Sequence, residues 1–217
     1  FENLTCYTEV IQDSMLDLVK CGKACVASCT ALAPSPEAQE AFFNDIDFYK
    51  DHIIFRPQEI SNSIEVAHRL GLIAMNTALE VDIYGNVNST HVQGKKMMNG
   101  IGGSGDFSRS ASLVIFTTSS IAKDGDISSI VPMCPHVDHT DHEVMVIVTE
   151  HGYADLRGLS PKERAVKIIA NCAHPDYREK LMDYFNRACE QMPCQTPHLL
   201  DEALSWHSKF EKTGSMR

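Results

Sequence analysis

The sequence predicts an α/β fold, with a mixed open sheet flanked by helices in the first 150 residues and a helical C-terminal third. Two patterns predict it. Short apolar segments compatible with strands recur up to Glu150, whereas apolar residues beyond it recur at the spacing of amphipathic helices. With 217 residues, of which 43% are apolar, the chain has room for one large or two small domains and a sizeable core.

The first predicted element is a helix from Thr8 to Val19, whose apolar residues fall on one face and which Gly22 would end. Thr8 is a suitable N-cap, so Glu9 is expected in the first helical turn. There the helix dipole stabilises an ionised carboxylate by up to ~1 kcal/mol. A nucleophilic carboxylate must be ionised, but an ordinary first-turn glutamate shows the same pattern.

A second helix is expected to begin at Ser61 or Ser63 and to end near Gly71. The segment 78–92 predicts a hairpin, because apolar and polar residues alternate before Gly85-Asn86, a pair that suits a two-residue turn. The remaining strands are short apolar segments, expected at 52–56, 113–118, 129–133 and 144–149.

The helical third begins at Ser160, which combines an N-cap with Pro161 at the first helical position and a capping-box glutamate at Glu163. Pro193 and Pro197 separate the last two helices of this region. The helices are expected at 161–171, 176–190 and 198–212.

Charge and cysteine content exclude several classes of function. The formal net charge is −10 and no basic patch stands out, which argues against binding nucleic acid or an acidic membrane surface. No apolar run approaches the ~20 residues of a membrane span. The eight cysteines are expected to be reduced thiols in an intracellular protein. The first residue is Phe1, which suggests a fragment, a processed product or part of a longer protein.

A glycine-rich segment, Asn99 to Ala111 (NGIGGSGDFSRSA), has four glycines within six positions. Such a loop can adopt positive φ angles, and its backbone N–H groups can converge on a phosphate or an oxyanion. The alternative is a tight turn between two strands. The segment is neither a P-loop, because no Lys-Ser or Lys-Thr follows, nor a dinucleotide fingerprint, because the glycine spacing differs.

Three histidines, His136, His139 and His142, lie among acidic residues in the segment CPHVDHTDHEV. Imidazoles and carboxylates are ligands of zinc and iron, so this is the candidate metal site. Their spacing is not that of HExxH, and three ligands so close in sequence rarely converge without help. A polar loop between two strands is therefore the expected structure.

One further polar residue stands where α/β folds place active sites. Glu150 follows the apolar strand VMVIV, and the carboxyl ends of strands in such sheets line active sites. The alternative is that Glu150 is simply a polar residue that ends a strand. Asn62, in the segment EISNS, is compatible with a helix cap alone.

Taken together, these segments resemble the acetyl-CoA hydrolase/transferase family of CoA-transferases, and within it the succinyl-CoA:acetate CoA-transferases. The resemblance covers nearly the whole chain. It is carried by YTEVIQD, EISNS, ALEVDIYGNVNSTHV, NGIGGSGDF, SSIVP, PHVDHTDHEV and VTEHGYADLRGLSP, in the family's order. It implies that residues 1–217 are the C-terminal catalytic domain of a two-domain enzyme, whose N-terminal domain is absent from this chain and whose active site lies between the domains.

The resemblance also implies roles for individual residues. Glu9 would be the nucleophile that forms a glutamyl-CoA thioester, and Gly103 would supply a backbone N–H to the oxyanion hole and the CoA site. Asn62 and Glu150 match polar positions near the nucleophile. The family's CoA-contacting positions are matched by Asn99 and Lys123.

One position departs from the family pattern, since the family typically has glutamine where this chain has His151. Any role at this position is therefore left open. The segment PHVDHTDHEV belongs to the family pattern without being a metal site in it, so no metal is expected. Coenzyme A is expected as a substrate and not as a permanently bound cofactor.

The resemblance implies an enzyme that moves CoA between succinyl-CoA or acetyl-CoA and an acid such as acetate. Two alternatives stay open: an acyl-CoA hydrolase with the same nucleophile, and a non-catalytic CoA-binding half that needs its N-terminal partner. A metal-binding domain is a further alternative. The family suggests a homodimer in the bacterial cytoplasm or the mitochondrial matrix.

Overall fold

The chain divides into two units, Phe1–Leu72 and Ile73–Arg217, and the computed structural model describes all 217 residues. Both units combine β-strands with flanking helices, so the predicted α/β class is confirmed. No helix is both long enough and apolar enough to span a membrane.

A parallel sheet organises the first unit. The strands of this unit are β1 (Leu4–Tyr7), β2 (Val10–Ile11), β3 (Ala24–Cys29), β4 (Ala31–Leu32) and β5 (Ile53–Phe55). The helices are α1 (Asp13–Lys20), α2 (Pro36–Asn44), α3 (Ile46–Tyr49), α4 (Gln58–Ser61) and α5 (Ile64–Leu70). The sheet has the order β1-β3-β5, and β2 pairs with β4. Leu16 and Val19 of α1 are buried with Phe42 of α2 in the hydrophobic core of this unit.

The prediction for the first helix is wrong at its start. Helix α1 begins at Asp13, and Glu9 lies in a bend between β1 and β2. The carbonyl of Glu9 accepts hydrogen bonds from the amides of Thr30 (2.8 Å) and Ala31 (3.1 Å). Tertiary pairing with the chain after β3 therefore keeps this segment extended, although its local pattern is compatible with a helix. The dipole argument does not apply to Glu9.

The predicted caps of helix α5 are confirmed. Ser63 caps α5 by accepting a hydrogen bond from the amide of Val66, and Gly71 ends it in the left-handed conformation. The predicted strand at 52–56 is β5. Helix α2 was not predicted, although Ser35 caps it and Pro36 occupies its first turn.

The second unit is built on a four-stranded sheet with the order β16-β15-β11-β6. The strands of this unit are β6 (Ile73–Thr77), β7 (Glu80–Asp82), β8 (Val87–Asn88), β9 (His91–Val92), β10 (Lys96–Met97), β11 (Leu113–Thr117), β12 (Ile121–Ala122), β13 (Ile127–Ser128), β14 (Ile130–Val131), β15 (Val146–Thr149) and β16 (Gly152–Asp155). The helices are α6 (Ser104–Ser110), α7 (Pro161–Cys172), α8 (Pro175–Gln191) and α9 (Ser205–Thr213). Strands β6, β11 and β15 are parallel, and β16 runs antiparallel to β15.

The predicted strands at 113–118, 129–133 and 144–149 correspond to β11, β14 and β15, and the predicted hairpin to β7 and β8. The two-residue turn is wrong. Asp82 instead spans a longer turn, because its carboxylate accepts hydrogen bonds from the amides of Tyr84 and Asn86 and from the Asn86 side chain.

The helical C-terminal third is confirmed. Helix α7 begins with the complete capping box of Ser160 and Glu163 and packs against β15 and β16. Helix α8 covers the predicted range. The last helix is shorter than predicted, because residues 198 and 199 have no regular secondary structure, residues 200–204 form a turn and α9 begins only at Ser205.

Candidate active site

Glu9 and Asn62 lie in the first unit, at the carboxyl edge of its parallel sheet. Glu9 is half-buried and lies two positions after the last residue of β1. Asn62 is half-buried at the C-terminal end of α4. The carboxyl ends of parallel strands are where α/β folds hold ligands.

A hydrogen bond joins the two segments that carry these residues. Tyr7, two positions before Glu9, donates its hydroxyl to the carbonyl of Ile60, two positions before Asn62, at 2.5 Å. Burial raises the pKa of Tyr7 despite the opposing charge of Arg56, so this hydroxyl keeps its proton at neutral pH. The contact therefore ties α4 to the end of β1.

Arg56 lies at the same edge and was not among the predicted site residues. Its amide donates to the carbonyl of Cys29 (2.8 Å), and its Nε donates to the hydroxyl of Ser28 (2.9 Å). The side chain is largely exposed. A cation at this edge can attract a carboxylate or a phosphate. The sequence signal was only an arginine at the end of a predicted strand.

An apolar cavity of about 500 Å³ opens on the first unit, and Arg56 lies on its wall. The cavity lies over β1, β3 and β5, and its far wall comes from α4, α5 and the residues after them. The lining is mostly aliphatic and includes Val26, Ile54, Ile60, Val66, Leu70 and Leu72.

Glu150 lies at the carboxyl edge of the second unit's sheet, where the sequence pattern placed it. It follows β15 and is bound by Ser120, whose side chain is fully buried. The Ser120 amide donates to Oε2 (2.8 Å), and its hydroxyl donates to Oε1 (2.5 Å). Both carboxylate oxygens are thereby fixed in direction.

Burial alone would raise the pKa of Glu150, but the two hydrogen bonds from Ser120, together with one from the Glu150 amide itself, lower the pKa overall. His151 contributes a smaller effect of the same sign, with Nε2 at 3.6 Å from Oε1. Glu150 is therefore ionised at neutral pH and half-exposed, so it can act there as an acceptor and not as a proton donor.

The glycine-rich segment is partly helical, which its composition did not predict. Gly103 is buried and is the N-cap of α6, and Gly102 has a φ of 55°. Strands β6 and β11 are parallel and α6 leads into β11, so α6 begins toward the carboxyl edge of the sheet. Gly103 and Glu150 therefore belong to the same edge of the second unit.

Asn99 has a structural function in this loop. Its side-chain amide donates to the carbonyls of Ser89 and Gly100, each at 3.0 Å. These bonds hold the beginning of the loop and leave the Asn99 carbonyl oxygen Oδ1 for further contacts. The CoA contact expected at this position stays a prediction.

Lys123 lies on the turn between β12 and β13, three positions after Ser120. Both Lys123 and Asp124 have left-handed φ angles, 49° and 54°, which non-glycine residues rarely adopt. Arg217 supports the turn by donating to the carbonyls of Asp124 and Gly125. The Lys123 ammonium is exposed and lies 4.9 Å from the centroid of the Phe210 ring.

The three histidines considered as a metal site do not come together. His139 is fully buried among serines, whereas His142 is 86% exposed beside Asp141. Of the three, only His136 belongs to a group of three potential ligands: its ligand atom and those of His91 and Asp138 are all within 4.8 Å of one another. The expectation that the chain holds no metal stays a prediction.

Hydrogen bonds within that group give it a structural function. Asp138 accepts from the amide of Ser89 (2.8 Å), the hydroxyl of Thr90 (2.8 Å) and His136 Nε2 (3.1 Å). The rings of His91 and His136 lie 3.8 Å apart between centroids. A charged carboxylate with this many donors needs no cation to be stable.

Comparison with known proteins places these features in one family. Residues 39–185 match the family described as the acetyl-CoA hydrolase/transferase C-terminal domain. The chain is 69% identical over 217 residues to the succinyl-CoA:acetate CoA-transferase of Clostridium kluyveri. The match covers all of this chain and 40% of that protein. It is 44% identical to the acetyl-CoA hydrolase of Candida albicans, again over all of this chain and 43% of that protein.

A solved structure supports the fold. The 4-hydroxybutyrate CoA-transferase of Porphyromonas gingivalis superposes with a TM-score of 0.67 at 26% identity, over 86% of this chain and 46% of that chain. The chain thus spans less than half the length of the proteins that it matches.

Proposed function

Because the chain belongs to the acetyl-CoA hydrolase/transferase family, we propose that it is part of an enzyme that moves CoA between a short acyl-CoA and a carboxylic acid. Succinyl-CoA or acetyl-CoA is the proposed donor, and acetate or a similar acid the acceptor. The observation that carries the proposal is the ionised Glu150, held by Ser120 at the sheet edge where the glycine loop enters α6. A polar, preorganised edge of this kind suits acyl transfer between anions.

In the proposed mechanism Glu9 is the nucleophile. Its carboxylate oxygen attacks the thioester carbonyl, the C–S bond breaks, and a mixed anhydride and CoA thiolate form. The thiolate then attacks the glutamyl carbonyl and releases the first acid as a carboxylate. A glutamyl-CoA thioester remains, and an incoming carboxylate reverses the two steps. No oxidant and no net proton is required.

The position of Glu9 supports this assignment on different grounds from those of the sequence. The side chain leaves a bend at a carboxyl edge, and the backbone carbonyl is fixed by the amides of Thr30 and Ala31. The backbone is thereby fixed independently of the side chain's reaction.

Each step passes through an oxyanion. Gly103, buried at the start of α6, is the proposed donor of a backbone N–H to it, and loss of one such donor costs about 3 kcal/mol in a protease. Asn99 and Lys123 are proposed to contact CoA, whose phosphates would attract the exposed Lys123 ammonium. Coenzyme A is a substrate in this proposal.

Hydrolysis is the second candidate function, since a relative of 44% identity is named acetyl-CoA hydrolase. Water that reaches the enzyme thioester would release free CoA.

A third possibility is that this chain binds CoA and becomes catalytic only when the rest of the protein is present, because it spans 40% of its 69%-identical relative. A homodimer located in the cytoplasm, or alternatively in the mitochondrial matrix, completes the proposal.

The decisive experiment is mass spectrometry of the full-length protein after incubation with succinyl-CoA and then with borohydride. A CoA adduct on the Glu9 peptide, reduced by borohydride to the alcohol, supports the mechanism. Adding acetate should then yield acetyl-CoA. Release of free CoA whether or not acetate is present supports the hydrolase, and absence of both adduct and turnover supports a binding module. Glu40→Gln, on the exposed face of α2, is the matched control for Glu9→Gln.

A further inference from the structure

His139 is fully buried in the second unit, yet it lies in a segment that the proposed function leaves without a role. Its backbone pairs with Val87 through hydrogen bonds of 2.8 and 3.1 Å. Its ring lies against Phe116, with centroids 4.8 Å apart. Burial lowers the pKa of His139, outweighing the opposing effects of Asp138 and Glu143, so the ring is neutral at physiological pH.

Both ring nitrogens face hydroxyls of helix α6. Nδ1 is 3.2 Å from the Ser108 hydroxyl, and Nε2 is 3.1 Å from the Ser104 hydroxyl. These serines are four residues apart and so lie on one face of the helix. A third hydroxyl, that of Ser89, is 3.4 Å from Nε2.

The hydrogen bonds set the direction of this network. The Ser104 hydroxyl donates its one proton to the carbonyl of Ile101 at 2.6 Å. It must therefore accept from His139, which requires the proton on Nε2. Nδ1 is then an acceptor, and the Ser108 hydroxyl can donate to it or to the carbonyl of Gly105. A continuous chain thus runs from His139 through Ser104 to Ile101.

Ile101 belongs to the glycine loop, in which Asn99 holds the carbonyl of Gly100 and the Ser104 hydroxyl holds that of Ile101. A Cβ added at Gly100 would meet nothing within 4 Å, and Gly102 takes a left-handed φ of 55°. Glycines of this kind lose much conformational freedom on folding, so the loop needs fixed contacts to hold one conformation. The Ser104 hydroxyl is such a contact, and His139 orients it.

We propose that His139 is a positioning residue: through Ser104 it holds the loop 100–103 in the conformation that aims the Gly103 N–H at the reacting carbonyl. The proposal rests on the proposed function of Gly103. His139 itself contacts no substrate. It acts by keeping the loop preorganised, so that the oxyanion donor does not have to be ordered during the reaction.

The test combines amide hydrogen exchange of the loop with steady-state kinetics of the full-length protein. The variants are His139→Leu, His139→Gln and Ser104→Ala, and His142→Leu is the matched control, since His142 is exposed in the same segment. We expect His139→Leu and Ser104→Ala to speed exchange at 100–103 at least about tenfold while exchange in β11 and β15 is unchanged. In the same variants kcat should fall by about ten- to a hundredfold, with KM for acetate within about twofold.

His139→Gln should restore part of both readouts, because its amide can donate to Ser104. Loop exchange at the wild-type rate in Ser104→Ala overturns the proposal, as does a loosened loop with unchanged kcat. Ser104→Ala decides the matter if His139→Leu fails to fold, because it keeps the buried ring. Failure of the proposed function has a different signature: the wild-type protein itself forms no CoA adduct, and the exchange result still reports on the loop.

Discussion

Ser120 donates two hydrogen bonds to the carboxylate of Glu150, one from its amide and one from its hydroxyl. The donor is fully buried and the acceptor is half-exposed, so the interior of the second unit sets the direction and the charge of a group at its surface. Such an arrangement keeps an acceptor in place without requiring it to be buried. Its energetic consequence is the lowered pKa of Glu150.

Replacing Ser120 by alanine should therefore raise the pKa of Glu150, because the hydrogen bond from the hydroxyl is lost. The hydrogen bond from the backbone N–H of residue 120 remains. Activity that needs the ionised carboxylate should decline at a higher pH than in the wild type as the solution is acidified. The pH profile of kcat/KM measures this shift. Ser119→Ala is the control, since Ser119 is exposed. An unchanged acidic limb in Ser120→Ala would contradict the assignment.

Replacing Glu9 by glutamine should abolish CoA transfer and leave stability nearly unchanged. Its backbone carbonyl makes the bonds to Thr30 and Ala31, and glutamine keeps them. The free energy of unfolding should change by no more than about 0.5 kcal/mol, as for most partly exposed positions. Urea denaturation and the acetyl-CoA assay measure the two effects. Transfer at the wild-type rate in this variant would remove Glu9 as the nucleophile.

Asp82 predicts a pH dependence of stability. Burial raises its pKa to about 6, although bonds from Asn86 and Tyr84 oppose the shift. Its folded-state pKa exceeds its unfolded value near 3.8, so the stability it contributes is complete below pH 4 and is lost as the pH rises through 6. We expect Asp82→Asn to be less destabilising at pH 7 than at pH 4, by roughly 1–3 kcal/mol.

Urea unfolding of the wild type and Asp82→Asn at both pH values measures this difference. Asparagine keeps the Oδ1 acceptor of the Tyr84 and Asn86 amides, so the variant tests the charge more than the turn. Asp141→Asn is a control in a partly exposed aspartate nearby. Equal destabilisation at the two pH values would show that Asp82 titrates normally.

Removing metal ions should leave activity unchanged. Dialysis against a chelator is expected to alter kcat by less than about twofold, because no step of the proposed chemistry needs a cation. Metal analysis of the purified protein should find well below one equivalent. The group of His91, His136 and Asp138 is the place to look if this fails. Activity lost on chelation, restored by zinc and absent in His136→Ala would contradict the prediction.

Elements whose signals are local were predicted from the sequence. The capping box of Ser160 and Glu163 makes all its bonds within one helical turn, and α7 begins where it indicates. Ser63 and Gly71 likewise delimit α5. Glu150 was expected after a buried strand, and it lies there.

Elements that depend on distant partners were not predicted from the sequence. Glu9 was assigned to a helix because its neighbours suit one, but amides some twenty residues later bind its carbonyl and keep it extended. Ser120 and Arg56 stood in no motif. Only the folded sheets bring Ser120 into contact with Glu150 and place Arg56 at the carboxyl edge that also carries Glu9.

The α/β class, most of the helix and strand types, and the family to which the chain belongs could be predicted from the sequence, because they depend on periodicity, caps and motifs carried by neighbouring residues. How the motifs act depends on contacts that form only in the folded chain. The tertiary structure separated His136, His139 and His142, turned His139 toward the serines of α6, and placed Ser120 under Glu150. Hydrogen bonds between residues 30 to 50 positions apart leave no periodic trace along the chain, so their partners become visible only once the sheet is formed.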